Sequence, residues 1–176
     1  MTNVLDKFIQ DMKSNIPGFI AVSVTEVRSG VSYGSDSVDP SFDPNLASAY
    51  NLEVVKAKQN ALQVLGLASK ERIVDIIITL TDQIHVIDIS SNGSYIIYLA
   101  VDSNKANLGL TRALLSKYKK DFNSMLSYAQ SILGKRGFKK SLRAQSTPRA
   151  RFEALSIGIA MALKEKPNLP IKEISS

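Results

Sequence analysis

Apolar residues at Val4, Leu5, Phe8, Ile9, Met12 and Ile16 recur at intervals of three and four, the period of an amphipathic helix. Thr2 and Asn3 are its N-cap candidates, and Pro17 and Gly18 stop it. From Phe19 to Val27 the period shortens to two, around Ile20, Val22 and Val24. A turn at Arg28-Ser29-Gly30 and a resumption at Val31-Ser32-Tyr33 predict a hairpin. Ser35 to Asp43 reads as an acidic, turn-rich loop. Asp43 and Pro44 then read as N-cap and first residue of a helix running to about Leu65 and stopped by Gly66. In that helix Tyr50, Val54, Ala57, Ala61 and Val64 form one stripe, while Val55, Leu62 and Leu65 occupy a neighbouring face. So wide an apolar arc predicts packing on two sides.

Three strand-like runs follow, Ile73 to Leu80, Ile84 to Ile89 and Tyr95 to Val101, joined by linkers short enough to force antiparallel pairing. The spacing of Leu108, Leu115, Tyr118, Phe122, Met125, Ala129 and Ile132 predicts a helix of about seven turns ending at Gly134. Thr147-Pro148 caps a last helix, Arg149 to about Lys166, whose apolar residues surround most of its circumference, so it is expected to dock on a protein surface. This order predicts an α+β fold with a five-stranded antiparallel sheet and helices on both faces, α-ββ-α-βββ-α, plus a C-terminal helical extension. The expected divisions are a domain over 1–134, a basic linker over 135–148, and a C-terminal helix and tail over 149–176.

Composition narrows the class. At 44% hydrophobic and 22% charged, 176 residues suit one soluble domain with an extension. The net charge of +6 is local: residues 1–134 carry 12 Lys and Arg against 13 Asp and Glu, and 152–176 carry three of each sign. The whole excess lies in Lys135, Arg136, Lys139, Lys140, Arg143, Arg149 and Arg151, a segment without acids. The absence of cysteine excludes disulfides, thiolate metal sites and thiol nucleophiles. The acid-containing N-terminus fits neither a signal peptide nor an anchor, and no apolar run approaches the ~18 residues of a membrane span, so a cytoplasmic location is the default expectation.

Candidate chemistry is sparse. None of the phosphate-loop, dinucleotide, nucleophile-elbow or zinc-protease motifs occurs. His85, the only histidine, falls in a strand pattern and is expected to pack across strands or lie at the surface. Asp36, Asp39 and Asp43 lack the spacing and central glycine of a calcium loop, which leaves a solvated loop with Asp43 as a cap. Asp75 and Asp88 are expected to turn outward from their strands. The residues suggest no catalytic, cofactor-binding or metal-binding set.

Three stretches carry a resemblance: DPSFDPNLASAYNLEVVKAK, IVDIIITLTDQIHVI and YLAVDSNKANLGLTRALL, the last with its junction Asn107-Leu108-Gly109-Leu110 followed by Arg112. Over residues 1 to 125 the chain resembles the Roadblock family, the dynein light-chain type of GTPase-regulating and scaffold domains, particularly its bacterial members, and a Roadblock/profilin-like fold is implied. The resemblance further implies a non-enzymatic module needing no cofactor, metal or small-molecule substrate. It implies homodimers that pair the second helix and third strand with their symmetry mates, and commonly a small Ras-like GTPase partner. The matching interface positions are Val54, Val55, Lys58, Ala61, Leu62, Leu65, Val74, Ile76 and Ile78. A third strand apolar on both faces, with Val74, Ile76 and Ile78 on one and Ile73 and Ile77 on the other, gives this a physical counterpart.

Residues 134–176 exceed a minimal family member. Their basic segment leaves open a solvated tether, a nucleic-acid-binding adaptor, or contact with an anionic membrane or acidic protein. A ligand-sensing module of the related five-stranded type is a further alternative.

Overall fold

The computed structural model describes residues 4–120, 122 and 123. Its elements are α1 (Val4–Asn15), β1 (Phe19–Glu26), β2 (Ser32–Ser37), α2 (Pro44–Val64), β3 (Asp75–Thr79), β4 (Gln83–Ile89) and β5 (Tyr95–Asp102), followed by a helix over 108–120, α3, that includes 122 and 123. The rest of the expected long helix, the basic segment and the helix expected over 149–166 lie outside the described residues.

The strands form one antiparallel sheet in the order β2-β1-β5-β4-β3. Each face has its own core. Leu5, Phe8, Ile9, Met12 and Ile16 pack from the α1 side on Val22, Val24, Ile97, Leu99 and Val101, and Leu115 and Phe122 join them from the last helix. Phe8 lies 5.1 Å from the ring of Phe122, and Phe122 makes a T-shaped contact with Tyr95 at 5.4 Å, tying α1, α3 and β5 together. On the opposite face Leu52 and Val55 of α2 pack on Ala21, Ile96, Tyr98 and Ala100. The expected five-stranded sheet with helices on both faces is therefore present.

Two local readings change. The second strand extends to Ser37, through residues expected to be loop, because register with β1 from Ala21 to Thr25 supplies backbone partners that an edge strand uses even without apolar alternation. A Cβ at Gly34 would stand 2.8 Å from a Leu5 methyl, so the strand's lack of a side chain there is what lets α1 approach. The third strand begins at Asp75, not Ile73. Ile73 packs with Ile76 and Ile78 on the α2 side, and Val74 lines a cleft on the α3 side, so the two exchange the faces that simple alternation assigns them.

Candidate interaction surface

The helix α2 starts where Asp43 Oδ1 accepts the N–H groups of Asn45 and Leu46 at 2.9 and 3.1 Å, with Pro44 fixing the first turn. It ends at Gly66, whose φ of 68° is costly for any residue with a Cβ. Its inner face is partly polar: Ser48 bonds the Thr25 hydroxyl at 2.7 Å, and Asn45 Oδ1 accepts from Ser23 at 3.3 Å. Ser23, Thr25 and Ser48 are all buried, so this layer satisfies itself between helix and sheet.

The outer face is apolar and open. Tyr50 is 70% exposed, Val54 42%, Val64 88% and Leu65 64%. α2 crosses β1, β2 and β5, and Ile87 and Ile89 of β4 are buried on the same face, which leaves the edge strand β3 and the His85 end of β4 less covered. There Ile76 and Ile78 are only partly buried. His85 stands opposite Ile78, its Nε2 2.9 Å from Gln83 Oε1, its Nδ1 3.3 Å from the Tyr98 hydroxyl, and its ring edge-on to Tyr98 at 5.3 Å. Burial holds its pKa below the ordinary histidine value. Its cross-strand packing is as expected from its place in the strand pattern.

Of the interface positions expected from the resemblance, Val54, Lys58 and Leu65 are exposed, and Ala61, Leu62, Ile76 and Ile78 are half-buried. Val55 is a correction: it is 0% exposed, because its side chain points into the sheet core of its own subunit. Val74 is exposed but stands on the α3 side of the edge strand.

Asp75 and Asp88 also correct the outward reading. They are cross-strand neighbours on the α3 face, and α3 answers them with cations two turns apart. Arg112 reaches Asp75 Oδ2 at 2.7 Å. Lys119 Nζ stands 2.6 Å from Asp88 Oδ1 as an ion pair. Burial raises the pKa of Asp88 against the opposing effect of Lys119. Sequence alternation turned both carboxylates outward and could not show that α3 covers them. These residues, with Val74, Val86, Leu115 and Ser116, line a cleft of about 130 Å³. The acidic loop separates similarly. Burial works against the charge of Asp36, yet hydrogen bonds from Lys13 and Gln10 outweigh it and leave the pKa lowered. Asp39 accepts from Ser41, and Asp43 caps α2.

Among the described residues no group of three or more His, Asp or Glu side chains converges as a metal site, and no helix is long and apolar enough to cross a membrane. No family model matches the sequence, and no curated protein matches it. Solved structures do match the fold. A Roadblock/LC7 domain from Streptomyces avermitilis superposes with a TM-score of 0.57 at 8% identity, over 67% of this chain and 93% of that one. MglB from Myxococcus xanthus gives 0.52 at 13%, over 65% and 84%. The gliding protein MglB from Thermus thermophilus gives 0.54 at 14%, over 64% and 81%. Sheet order, helix placement and these superpositions together show that the chain has the Roadblock fold.

Proposed function

We propose that this protein is a non-enzymatic Roadblock-type regulatory or scaffold module that self-associates through α2 and β3 and binds a small Ras-like GTPase. The observation that carries this reading is the exposure of Tyr50, Val54 and Leu65 on α2 together with the half-burial of Ile76 and Ile78 on the edge strand β3. Large exposed apolar patches mark protein interfaces. The cleft at Asp75 and Asp88 supports a ligand-sensing role less well, since Arg112 and Lys119 already pair its carboxylates.

The test has two arms. Light scattering of the full chain at micromolar concentration should give a dimer, and Ile76→Asp should reduce it to monomer or unfold it. A Ras-like GTPase encoded beside this protein should then bind it with nucleotide-dependent affinity, and its GTP hydrolysis rate should change on complex formation. A monomeric wild type, or indifference of such GTPases in both nucleotide states, would refute the corresponding half. The charge concentrated between Lys135 and Arg151 favours one second reading, a nucleic-acid adaptor, in which DNA affinity would fall steeply with salt.

A further inference from the structure

α2 outruns the sheet that supports it. Its buried residues, Ser48, Leu52 and Val55, all lie at or before Val55, whereas the helix continues to Val64. Every residue from Gln63 to Arg72 is exposed. This protrusion is folded: Leu67 N–H donates to Leu62 C=O at 2.9 Å, and the N–H groups of Lys70 and Glu71 donate to Leu67 C=O. Val64, Leu65 and Leu67 project from it into solvent. Around them, between Val54 and Val74, stand Lys56, Lys58, Lys70 and Arg72 with Glu71 as the only acid. The tip lies at the end of the sheet that carries the β1–β2 turn, since α2 runs from Ser48 beside Thr25 to Leu52 beside Gly30 and onward. The chain leaves the described residues at this same end, where Asn123 Oδ1 accepts from the hydroxyl of Tyr95, the residue paired with Glu26.

We infer that this end of the molecule docks on an anionic lipid bilayer, with Val64, Leu65 and Leu67 entering the boundary between headgroups and acyl chains and the segment Lys135–Arg151 lying along the lipid phosphates. The inference goes beyond the self-association proposed above and is independent of it. A convex apolar tip ringed by cations suits a fluid interface, which closes around it. Three side chains give only weak, reversible attachment, so stable binding takes a second signal. The sequence supplies one: the whole excess of positive charge begins at Lys135, twelve residues after Asn123 and within about 40 Å of chain reach. Cations without intervening acids are drawn to an anionic leaflet. Beyond them the uncharged run Ala154–Leu163 follows Arg149 and Arg151 and precedes Lys164 and Lys166, with one glutamate on each side. Such a run is too short to span a bilayer, and its flanking cations can reach the phosphates while its apolar residues enter the interface. A solvated tether accounts for neither the tip nor this run, and nucleic acid accounts only for the cations. An anionic bilayer accounts for all three.

The chain has no tryptophan, so one introduced indole reports one place. Full-length Val64→Trp is mixed with vesicles of phosphatidylcholine alone, or with about one third phosphatidylglycerol, and followed by flotation and by tryptophan emission. The expected result is flotation with the anionic vesicles only, weakening steeply with salt, and a blue shift of the emission on binding. Val38→Trp, exposed beside Ile20 at the opposite end of the sheet, should keep its emission in the same mixture. Val64→Asp combined with Leu67→Asp should lower partition into anionic vesicles at least about tenfold, the effect of roughly two buried CH2 groups. If circular dichroism shows the double variant unfolded, Val64→Asp alone carries the comparison. Absence of flotation with anionic vesicles overturns the inference. Flotation without a blue shift at residue 64 overturns it too, because the basic segment then binds without the tip. A preference for duplex DNA over anionic vesicles at equal phosphate concentration overturns it in favour of nucleic acid. Monomer and dimer give the same readings, so failure here leaves the self-association reading untouched.

Discussion

Asp88 shows how much one buried group depends on its partner. Its carboxylate and the Lys119 ammonium are 8% and 17% exposed, so neither is well solvated without the other. Lys119→Met should destabilise the protein by about 3 kcal/mol at pH 7, the low end for a broken buried pair. Because burial raises the folded pKa of Asp88, the native state holds this proton more tightly than the unfolded chain. The penalty should therefore shrink as pH falls toward 4, and chemical denaturation at both pH values measures it. An equal loss at both would show that Lys119 acts by packing alone. Ser48→Ala tests the polar layer beneath α2: Thr25 keeps its bond to Ser23, so losing the Ser48 bond should cost about 0.5–1.5 kcal/mol in thermal or urea unfolding.

Adjacent positions on α2 have opposite fates. Val55 faces the sheet core and Val54 the open side, although both belong to the same apolar arc. Val55→Asp should abolish the cooperative unfolding transition. Val54→Asp should preserve circular dichroism and lower the self-association constant, read by sedimentation or light scattering. Unfolding of both variants would mean that the outer stripe is part of the fold. The capping residue gives a smaller, separate effect: Asp43→Ala should cost about 1 kcal/mol, because two N–H groups lose their acceptor.

At the scale of the whole molecule, the fold exposes an edge strand and a helix face on the same side of the sheet, with His85 between them. Burial holds the His85 pKa below 6.5, so the unfolded chain binds its proton more readily than the folded state. The sign follows: stability contributed by neutral His85 is complete above 6.5 and declines as pH falls through the lowered folded value. Urea unfolding should therefore show stability falling as pH is lowered below 6.5, and His85→Gln, which keeps a hydrogen-bonding side chain without the titration, should flatten that profile. A His85→Gln profile parallel to the wild type would show that this titration contributes nothing to stability.

The sequence by itself determined the element order and the main boundaries. Helical and strand periods, Asp43-Pro44 at one end of α2 and Gly66 at the other, and the short linkers of the meander are local signals that need no distant partner. Tertiary structure alone decided which of the similar apolar positions fill the core, separating Val55 from Val54, because the direction of a wide apolar arc is fixed only by the sheet beneath it. It likewise turned Ser23, Thr25 and Ser48 into buried hydrogen-bonding partners and extended a polar β2 along β1. Asp75 and Asp88 met Arg112 and Lys119 across intervals of 37 and 31 residues, a pairing that chain periodicity does not encode and that α3 creates only by crossing the sheet edge.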